Sequence, residues 1–253
     1  MLLTDQRGSV LTVTLARPEV RNAFNDELIA RLTETFRAVP GDVRAVVLRG
    51  EGKAFCAGGD LEWMRKAANY TPEQNAADAV KLAELFDAVA NCPAPVIARV
   101  HGAAFGGGLG LVSAADIAVA EQDCKFSFSE VRLGLIPATI ARHCVTKIGP
   151  GNARWLFTTG EVITGATALR IGLIHGYVSD QMGLDDLVHA KIKDILRNGP
   201  QSVAEAKRLV LDPPGSDAEA AGRLAERRAG DEGKEGVAAF LEKRTASFVE
   251  ELA

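Results

Sequence analysis

His-Gly-Ala-Ala-Phe-Gly-Gly-Gly-Leu-Gly occupies positions 101–110, between two short and mostly apolar segments. The flanking segments, Pro95 to Val100 and Asp116 to Ala120, have the length and composition of buried strands. The glycines between them predict a loop that opens a helix and whose main chain a ligand can approach closely, because no side chains cover it. Strand, loop, helix and strand in this order indicate an α/β fold.

A second loop of small residues, Ala-Phe-Cys-Ala-Gly-Gly-Asp-Leu, occupies positions 54–61 and follows the apolar run Ala45 to Leu48. Asp60 is predicted to cap a helix that begins at Leu61, because its carboxylate can accept a hydrogen bond from a free backbone N–H. In both loops, unpaired N–H groups at the start of a helix favour negative charge. Taken alone, each loop is equally well explained as a tight, glycine-rich turn.

Composition and missing motifs exclude several classes of function. The chain has 253 residues, 47% hydrophobic and 25% charged, which suits one large globular domain. Its net charge of −4 argues against a general affinity for nucleic acid or for an anionic membrane. The four cysteines show no C-x-x-C spacing, which argues against a metal site or a redox dithiol. Neither a dinucleotide fingerprint nor a P-loop accompanies the glycines at 106–108.

The chain shows no targeting or membrane-spanning pattern. The first residues, Met-Leu-Leu-Thr-Asp-Gln-Arg, do not form the apolar region of a signal peptide. No apolar run approaches the roughly 18 to 20 residues that a membrane span needs. We therefore expect a cytoplasmic protein with no membrane partner.

Strand and helix patterns alternate in the first part of the chain and give way to helices in the second. A strand is predicted over residues 9–15, then a helix capped by Asn25, and later a helix from Thr71-Pro72 to about Asn91. After Pro150 the predicted helices are 153–158, 166–171, 184–196, 203–211, 218–229 and 237–251. The order predicts an α/β core over residues 1–195 and a helical C-terminal region over residues 196–253.

Together the two loops and their surroundings resemble a known family. The resemblance begins at Arg17-Pro18-Glu19-Val20-Arg21-Asn22-Ala23, passes through both loops, and ends at Glu-Gly-Val-Ala-Ala-Phe-Leu-Glu-Lys-Arg, positions 235–244. On these motifs the chain is similar to the crotonase (enoyl-CoA hydratase/isomerase) superfamily. The resemblance implies an enzyme with an α/β fold, a spiral of repeated ββα units with a helical C-terminal region. It also implies a homotrimer or dimer of trimers, an acyl-CoA thioester as substrate, and no cofactor besides the coenzyme A that the substrate carries.

The resemblance assigns catalytic roles to three residues. The N–H groups of Gly59 and Gly107 would form an oxyanion hole for the thioester carbonyl, where negative charge develops as an enolate forms. Glu130 matches the acid/base glutamate of the family, while Gly110 stands where many hydratases carry a first glutamate. The alternative for Glu130 is an ordinary solvated carboxylate.

Further positions match segments that contact the substrate in the family. Arg21 and Ala23 belong to the segment at the nucleotide end of coenzyme A. Phe240 and Lys243 match positions that reach the adenine or phosphate from a neighbouring subunit, although an ordinary amphipathic helix explains them nearly as well. The other predicted substrate-binding residues lie in the first loop: Ala57, Gly58, Asp60 and Leu61.

A single glutamate does not fix the type of reaction, so the choice depends on which subgroup of the family the chain resembles. Residues 59–64, 106–112 and 129–137 look like the bacterial methylglutaconyl-CoA and carboxygeranoyl-CoA hydratase group, which favours hydration of a branched or carboxylated 2-enoyl-CoA. Two alternatives stay open: an enoyl-CoA isomerase that uses one glutamate, and a catalytically silent acyl-CoA-binding protein. Arg142 or His143 is a candidate for reading a distal substrate carboxylate, the alternative being a helix residue that faces solvent or another subunit.

Overall fold

The computed structural model describes residues 1–252 and shows an α/β architecture, as the order of sequence patterns predicts. The strands are β1 (Leu2–Arg7), β2 (Val10–Leu15), β3 (Ala45–Gly50), β4 (Val96–Val100), β5 (Ala103–Phe105), β6 (Ile117–Glu121), β7 (Lys125–Ser127) and β8 (Tyr177–Val178). The helices are α1 (Asp26–Arg37), α2 (Leu61–Ala67), α3 (Pro72–Ala90), α4 (Gly107–Ala114), α5 (Ala138–Thr159), α6 (Gly165–Arg170), α7 (Gln181–Leu196), α8 (Pro200–Leu211), α9 (Asp217–Ala229) and α10 (Asp231–Glu242). Short 3-10 helices cover Pro18–Val20 and Ser129–Leu133.

The main sheet has the strand order β1-β2-β3-β4-β6-β8. Only the β1–β2 pair is antiparallel, and every later pair is parallel. Parallel pairs need crossovers, and helices α1, α3 and α4 lie in the segments that connect the central strands. Both faces of the sheet are covered, which explains why β3 and β4 are buried along most of their length.

Two groups of apolar side chains fill the space on either side of this sheet. On one face, helices α1, α3, α4 and α5 pack over the strands and supply large buried residues such as Leu32, Phe86 and Ile140. On the other face, α7 packs through Leu184 and Val188 against β3, β4 and β6. The face under α4 and α5 carries the glycine-rich loops.

A short second sheet brings the two loops together. It consists of β5 and β7, which pair in parallel. Single bridges extend it on both sides, joining Cys56 to Ala104 and Phe126 to Ile163. One further bridge joins Phe24 to Gly59. The first loop, 54–61, is therefore held beside the second, 101–110.

Local signals predict several helix starts correctly. The Asn25 side chain accepts a hydrogen bond from the Leu28 N–H at the start of α1. Thr71 and Gln74 form a reciprocal capping box at the start of α3, and Asp60 caps α2. Each of these caps involves groups only two or three residues apart, which is why the sequence alone reveals them.

Two predictions about helices are wrong, and the sequence patterns miss strand β1. Helix α5 begins at Ala138 rather than near Ala153, with a kink at Gly149. The last helix was predicted to run to Glu251, but α10 ends at Glu242 because Lys243 adopts a left-handed conformation with φ of 55°. The division after residue 195 stays a prediction.

The C-terminal helices leave apolar side chains in contact with solvent. Val237, Phe240 and Leu241 on α10 are all largely exposed, as is Val210 on α8. Helix α10 packs mainly against α9 and α8. None of the helices described is both long enough and apolar enough to cross a membrane.

Candidate active site

The N–H of Gly59 points away from Phe24, the residue with which its neighbours Gly58 and Asp60 form hydrogen bonds. The Gly58 carbonyl accepts a hydrogen bond of 2.7 Å from the Phe24 N–H, and the Asp60 N–H donates one of 2.8 Å to the Phe24 carbonyl. The Gly58 carbonyl and the Gly59 N–H belong to one trans peptide, so they point in opposite directions. The Gly59 N–H donates no hydrogen bond to any residue in the described range 1–252.

The same reasoning applies to Gly107 at the first position of α4. The Gly106 carbonyl accepts a hydrogen bond of 2.8 Å from the Leu109 N–H and therefore points along the helix. The Gly107 N–H in the same peptide points out of the helix N-terminus, and no described group accepts a hydrogen bond from it. Gly106 has φ of 49° and ψ of −119°, a conformation that favours glycine and aims this peptide.

The two glycine loops lie against each other. The Cys56 N–H donates to the Ala103 carbonyl, and the Phe105 N–H donates to the Cys56 carbonyl. A Cβ atom placed on Gly58 would lie 2.9 Å from the Phe105 carbonyl oxygen and 3.8 Å from the Gly106 Cα. The structure thus places two unpaired backbone donors in adjacent loops, and their convergence on one oxygen atom stays a prediction.

Glu130 lies beside the second loop, on the 3-10 helix that follows β7. Its Oε1 would be 3.3 Å from a Cβ atom on Gly106. Its Oε2 is buried and finds no hydrogen-bond partner in the part of the chain that the structure describes. Burial raises the pKa of this carboxyl above its ordinary value. The carboxyl can therefore hold a proton more readily than a solvated glutamate, which suits a group that takes up and returns protons.

Position 110 carries a glycine where many hydratases have the first of two glutamates. The packing around this position explains why the residue is a glycine. A Cβ atom at this position would lie 2.5 Å from Ile140 Cγ2 and 2.5 Å from Phe86 Cε1. Both side chains are buried in the core. The space that any side chain at Gly110 would need is therefore already filled.

Other apolar side chains around the loops were not predicted. Trp63 and Met64 of α2 lie 3.2 Å and 3.4 Å from the position of a Cβ atom on Gly59. The Phe24 ring lies 2.6 Å from that position on Gly107. Trp63 and Met64 lie on α2 whereas Phe24 precedes α1, so no spacing in the sequence could have grouped all three.

Arg17 ties the first loop to the segment before α1, a role that the sequence did not reveal. Its Nη2 donates a hydrogen bond of 2.8 Å to Asp60 Oδ2, and its Nη1 donates one of 2.6 Å to the Ala23 carbonyl. Asp60 Oδ1 accepts a further one from the Glu62 N–H. Burial opposes ionisation of Asp60, but the Glu62 N–H and the Arg17 guanidinium outweigh it and hold the pKa below its ordinary value. Asp60 therefore acts as an ionised helix cap.

The side chain of Asn22 holds the segment 21–23, which is predicted to contact the nucleotide end of coenzyme A, through hydrogen bonds. Asn22 is buried and has a φ of 58°. Its Nδ2 donates to the carbonyls of Glu51 and Ala54, each over 2.8 Å, and its Oδ1 accepts from the Arg17 N–H. Asparagine tolerates this left-handed conformation better than most residues, and that is the one signal in the sequence that could have identified it.

The remaining predicted contact residues in the first loop differ in exposure. The Ala57 N–H donates a hydrogen bond of 3.0 Å to the Arg21 carbonyl, so the nucleotide-end segment and the loop are directly joined. Leu61 is exposed at the start of α2. Contact of these residues with a substrate stays a prediction.

Phe240 and Lys243 lie at the end of α10 and both are exposed. They are available to another molecule, and their contact with coenzyme A across a subunit boundary stays a prediction.

Arg142 and His143 both contact Asp87 of α3. His143 Nε2 lies 3.0 Å from Asp87 Oδ1, and Arg142 forms an ion pair with the same carboxylate. Burial lowers the pKa of His143 below its ordinary value, against the opposing influence of Asp87. Both side chains already have an acidic partner, so a substrate carboxylate would compete with Asp87 for them.

Known proteins share this arrangement of elements. The sequence profile described as "Enoyl-CoA hydratase/isomerase" matches residues 5–251. An enoyl-CoA hydratase of Alternaria alternata, ACTT6, is 34% identical over 206 residues, which are 81% of this chain and 67% of that protein. The structure of AtuE from Pseudomonas aeruginosa has a TM-score of 0.95 at 35% identity, covering 98% of this chain and 99% of that one. An enoyl-CoA hydratase structure from Mycobacterium smegmatis has a TM-score of 0.91 at 36% identity, covering 98% of both chains.

Proposed function

The chain belongs to the enoyl-CoA hydratase/isomerase family, and from this membership we propose that it hydrates a branched or carboxylated 2-enoyl-CoA with Glu130 as its acid/base group. The observation that carries the proposal is the environment of Glu130. A half-buried glutamate whose Oε2 is buried and unpaired lies beside the loop that carries the Gly107 N–H.

The two glycine N–H groups serve as the oxyanion hole. A thioester oxygen placed about 3 Å from both nitrogens would accept two hydrogen bonds, and these strengthen as the oxygen becomes an enolate. The N–H groups of Gly59 and Gly107 have no internal partner to give up before they bind it. Loss of one such donor typically costs about 3 kcal/mol of transition-state stabilisation.

Glu130 carries one proton through both halves of the reaction. The ionised carboxylate takes a proton from water as the water oxygen bonds to C3, and the electrons of the double bond move onto the thioester as an enolate. The carboxylic acid then gives that proton to C2, which restores the carboxylate and completes the addition of H and OH. The pKa of Glu130, raised by burial, favours retention of the proton between the two steps.

The coenzyme A part of the substrate is held by both ends of the chain. Arg21 and Ala23 contact its nucleotide end beside the loop formed by Ala57, Gly58, Asp60 and Leu61. Phe240 and Lys243 reach the adenine or phosphate from a neighbouring subunit of a homotrimer or dimer of trimers, and their exposure supports this role. No cofactor other than the coenzyme A of the substrate takes part, and the enzyme works in the cytoplasm.

The proposed acyl group is branched or carboxylated, as in the methylglutaconyl-CoA and carboxygeranoyl-CoA hydratase group. The motifs at 59–64, 106–112 and 129–137 support it. The apolar surroundings of the glycine loops suit a branched hydrocarbon, and Arg142 supplies a cation for a distal carboxylate if Asp87 releases it.

Gly110 favours one alternative reaction. With a single carboxylate at the site, Glu130 can also move a proton between C2 and C4 and so shift a double bond without adding water. The third candidate, a silent acyl-CoA-binding protein, also follows from the missing glutamate.

One experiment separates the three. The purified protein is incubated with a panel of straight, branched and carboxylated enoyl-CoA thioesters, and Glu130→Gln serves as the matched control. Hydration increases product mass by one water, isomerisation moves the double bond at constant mass, and a silent protein binds the thioester without converting it. Hydration of branched or carboxylated members by wild type, lost in Glu130→Gln, supports the proposal; conversion at equal rates by both proteins contradicts it.

A further inference from the structure

We propose that Phe86 and Ile140 restrict the site to a single acid/base carboxylate, because they fill the space from which a second such group on α4 would act. This inference rests on the proposed function. It explains the absence of a second carboxylate by two apolar side chains on other helices, and not by the glycine at position 110 alone.

The two side chains meet on one face of the first turn of α4. Gly107 and Gly110 are three residues apart and therefore share that face. A Cβ atom on Gly110 would lie 2.5 Å and 2.7 Å from Phe86 Cε1 and Cζ, and 2.5 Å from Ile140 Cγ2. Phe86 Cζ also lies 3.8 Å from the corresponding position on Gly107. One aromatic ring thus spans the face from the predicted oxyanion donor to the position of the missing glutamate.

Both side chains are packed in the core. Phe86 is fully buried and Ile140 is 1% exposed. The Phe86 ring packs edge-on against Phe24, with 6.3 Å between ring centroids. In a close-packed core, a side chain with neighbours on all sides yields only at the expense of other contacts.

Phe86 and Ile140, which together form a wall beside α4, lie on α3 and α5, and a polar contact joins these two helices. Asp87 follows Phe86 on α3, and His143 lies one turn after Ile140 on α5. His143 Nε2 and Asp87 Oδ1 are 3.0 Å apart. The Asp87–His143 contact therefore links α3 to α5 beside Phe86 and Ile140, which gives a structural role to His143, one of the two candidates for reading a substrate carboxylate.

The buried thiol of Cys144 does not replace the missing carboxylate. Cys144, which follows Ile140 by one turn, lies close enough to Glu130 for the two to interact electrostatically. Burial raises the pKa of this thiol to about 12, and its Sγ is 3.2 Å from Ser113 Oγ. The thiol stays protonated at neutral pH and offers no base. Glu130 must therefore handle both the proton of the incoming water and the proton delivered to C2.

A set of four variants tests the proposal. Phe86→Ala/Ile140→Ala removes the wall, and adding Gly110→Glu places a carboxylate in the opened space. Adding Gly110→Gln instead gives a control of the same shape that cannot transfer a proton. Gly110→Glu alone keeps Phe86 and Ile140 in place. Each variant is assayed with 3-methyl-2-hexenoyl-CoA, a branched thioester that can be either hydrated at C3 or isomerised to the C3–C4 double bond. The ratio of hydrated to isomerised product is measured by mass spectrometry and chromatography.

We expect the glutamate variant to raise that ratio about 10-fold or more over the glutamine control, since general acid–base catalysis contributes about 10² to 10⁴-fold. The wall-free double variant should keep the wild-type ratio even if its turnover falls. Equal ratios in the glutamate and glutamine variants would overturn the proposal, as would an equal gain in hydration from Gly110→Glu alone, with Phe86 and Ile140 in place.

A stability measurement decides the question if the triple variants fail to fold. Gly110→Ala should lower the unfolding temperature of wild type more than it lowers that of Phe86→Leu, because leucine lacks the Cε1 and Cζ atoms that meet the new methyl group. An equal loss in both proteins would show that the ring does not occupy the space. This measurement does not depend on activity, so it still decides the role of the wall if no thioester is converted and the proposed function fails.

Discussion

Replacing Arg17 by methionine tests how the first glycine loop is held. The Arg17 and Asp60 side chains are 14% and 8% exposed, and their nearest charged atoms are 2.8 Å apart. Removing one partner of a buried ion pair typically costs about 3–5 kcal/mol, because the other charge is left unpaired. Asp60 keeps its hydrogen bond from the Glu62 N–H, which places the expected loss at the lower end of that range. The lost hydrogen bond to the Ala23 carbonyl adds about 1 kcal/mol. We therefore expect Arg17→Met to lower the free energy of unfolding by about 3–4 kcal/mol.

The assay is urea unfolding of wild type, Arg17→Met, Asp60→Asn and the double variant. Two interacting residues should show a coupling energy, so the double variant should lose less than the sum of the single losses. Arg17→Lys serves as the control that keeps the charge but not both hydrogen bonds. A loss below about 1 kcal/mol in Arg17→Met, the value of an exposed pair, would refute the reasoning.

The Arg17–Asp60 ion pair should also make the stability of the protein depend on pH. The pKa of Asp60 is lower in the folded protein than in the unfolded chain, so ionised Asp60 stabilises the fold above the unfolded pKa of about 3.9. This stabilisation is lost as the pH falls through the folded pKa. The stability difference between wild type and Asp60→Asn should therefore shrink in acid.

Three further predictions concern the site and its support. Glu130→Gln should lower turnover by about 10² to 10⁴-fold in steady-state kinetics, with thioester binding largely kept. Because burial raises the pKa of Glu130, its negative charge destabilises the folded protein above that pKa, and the variant should be at least as stable as wild type at neutral pH. Near wild-type turnover would mean that another residue moves the proton. Gly107→Pro should abolish turnover in a folded variant, because proline has no N–H to donate, and retained activity would remove Gly107 from the oxyanion hole. Lys147 donates hydrogen bonds to the carbonyls of Val112 and Ala115 near the end of α4, and burial lowers its pKa to about 8. Between about pH 8 and 10.5 the unfolded chain therefore binds more protons than the folded protein, so the stability of wild type relative to Lys147→Met should rise over that interval. A constant difference between the two proteins in urea unfolding would contradict the lowered pKa.

The predicted family fold is confirmed, and it was predictable because its markers are local. Glycines at 58–59 and 106–108 signal a bare main chain, and caps such as Asn25 and Thr71 act on groups within the next turn. Sequence periodicity also located most helices within a few residues. Helices α5 and α10 are exceptions: α5 begins well before the predicted segment, and the end of α10 at Glu242 depends on a left-handed Lys243 and on an ion pair between Arg244 and Glu235.

The sequence by itself determined that two glycine loops precede helices, that Glu130 follows the second of them, and that position 110 carries no acid. These facts need only the order of residues along the chain. The reason for the glycine at 110 lies in Phe86 and Ile140, which stand 24 and 30 positions away and meet it only when α3, α4 and α5 pack together. The link between Arg17 and Asp60 and the burial that raises the pKa of Glu130 likewise arise from tertiary contacts. Packing and burial depend on which elements come together in space, and that is why the tertiary structure alone decided them.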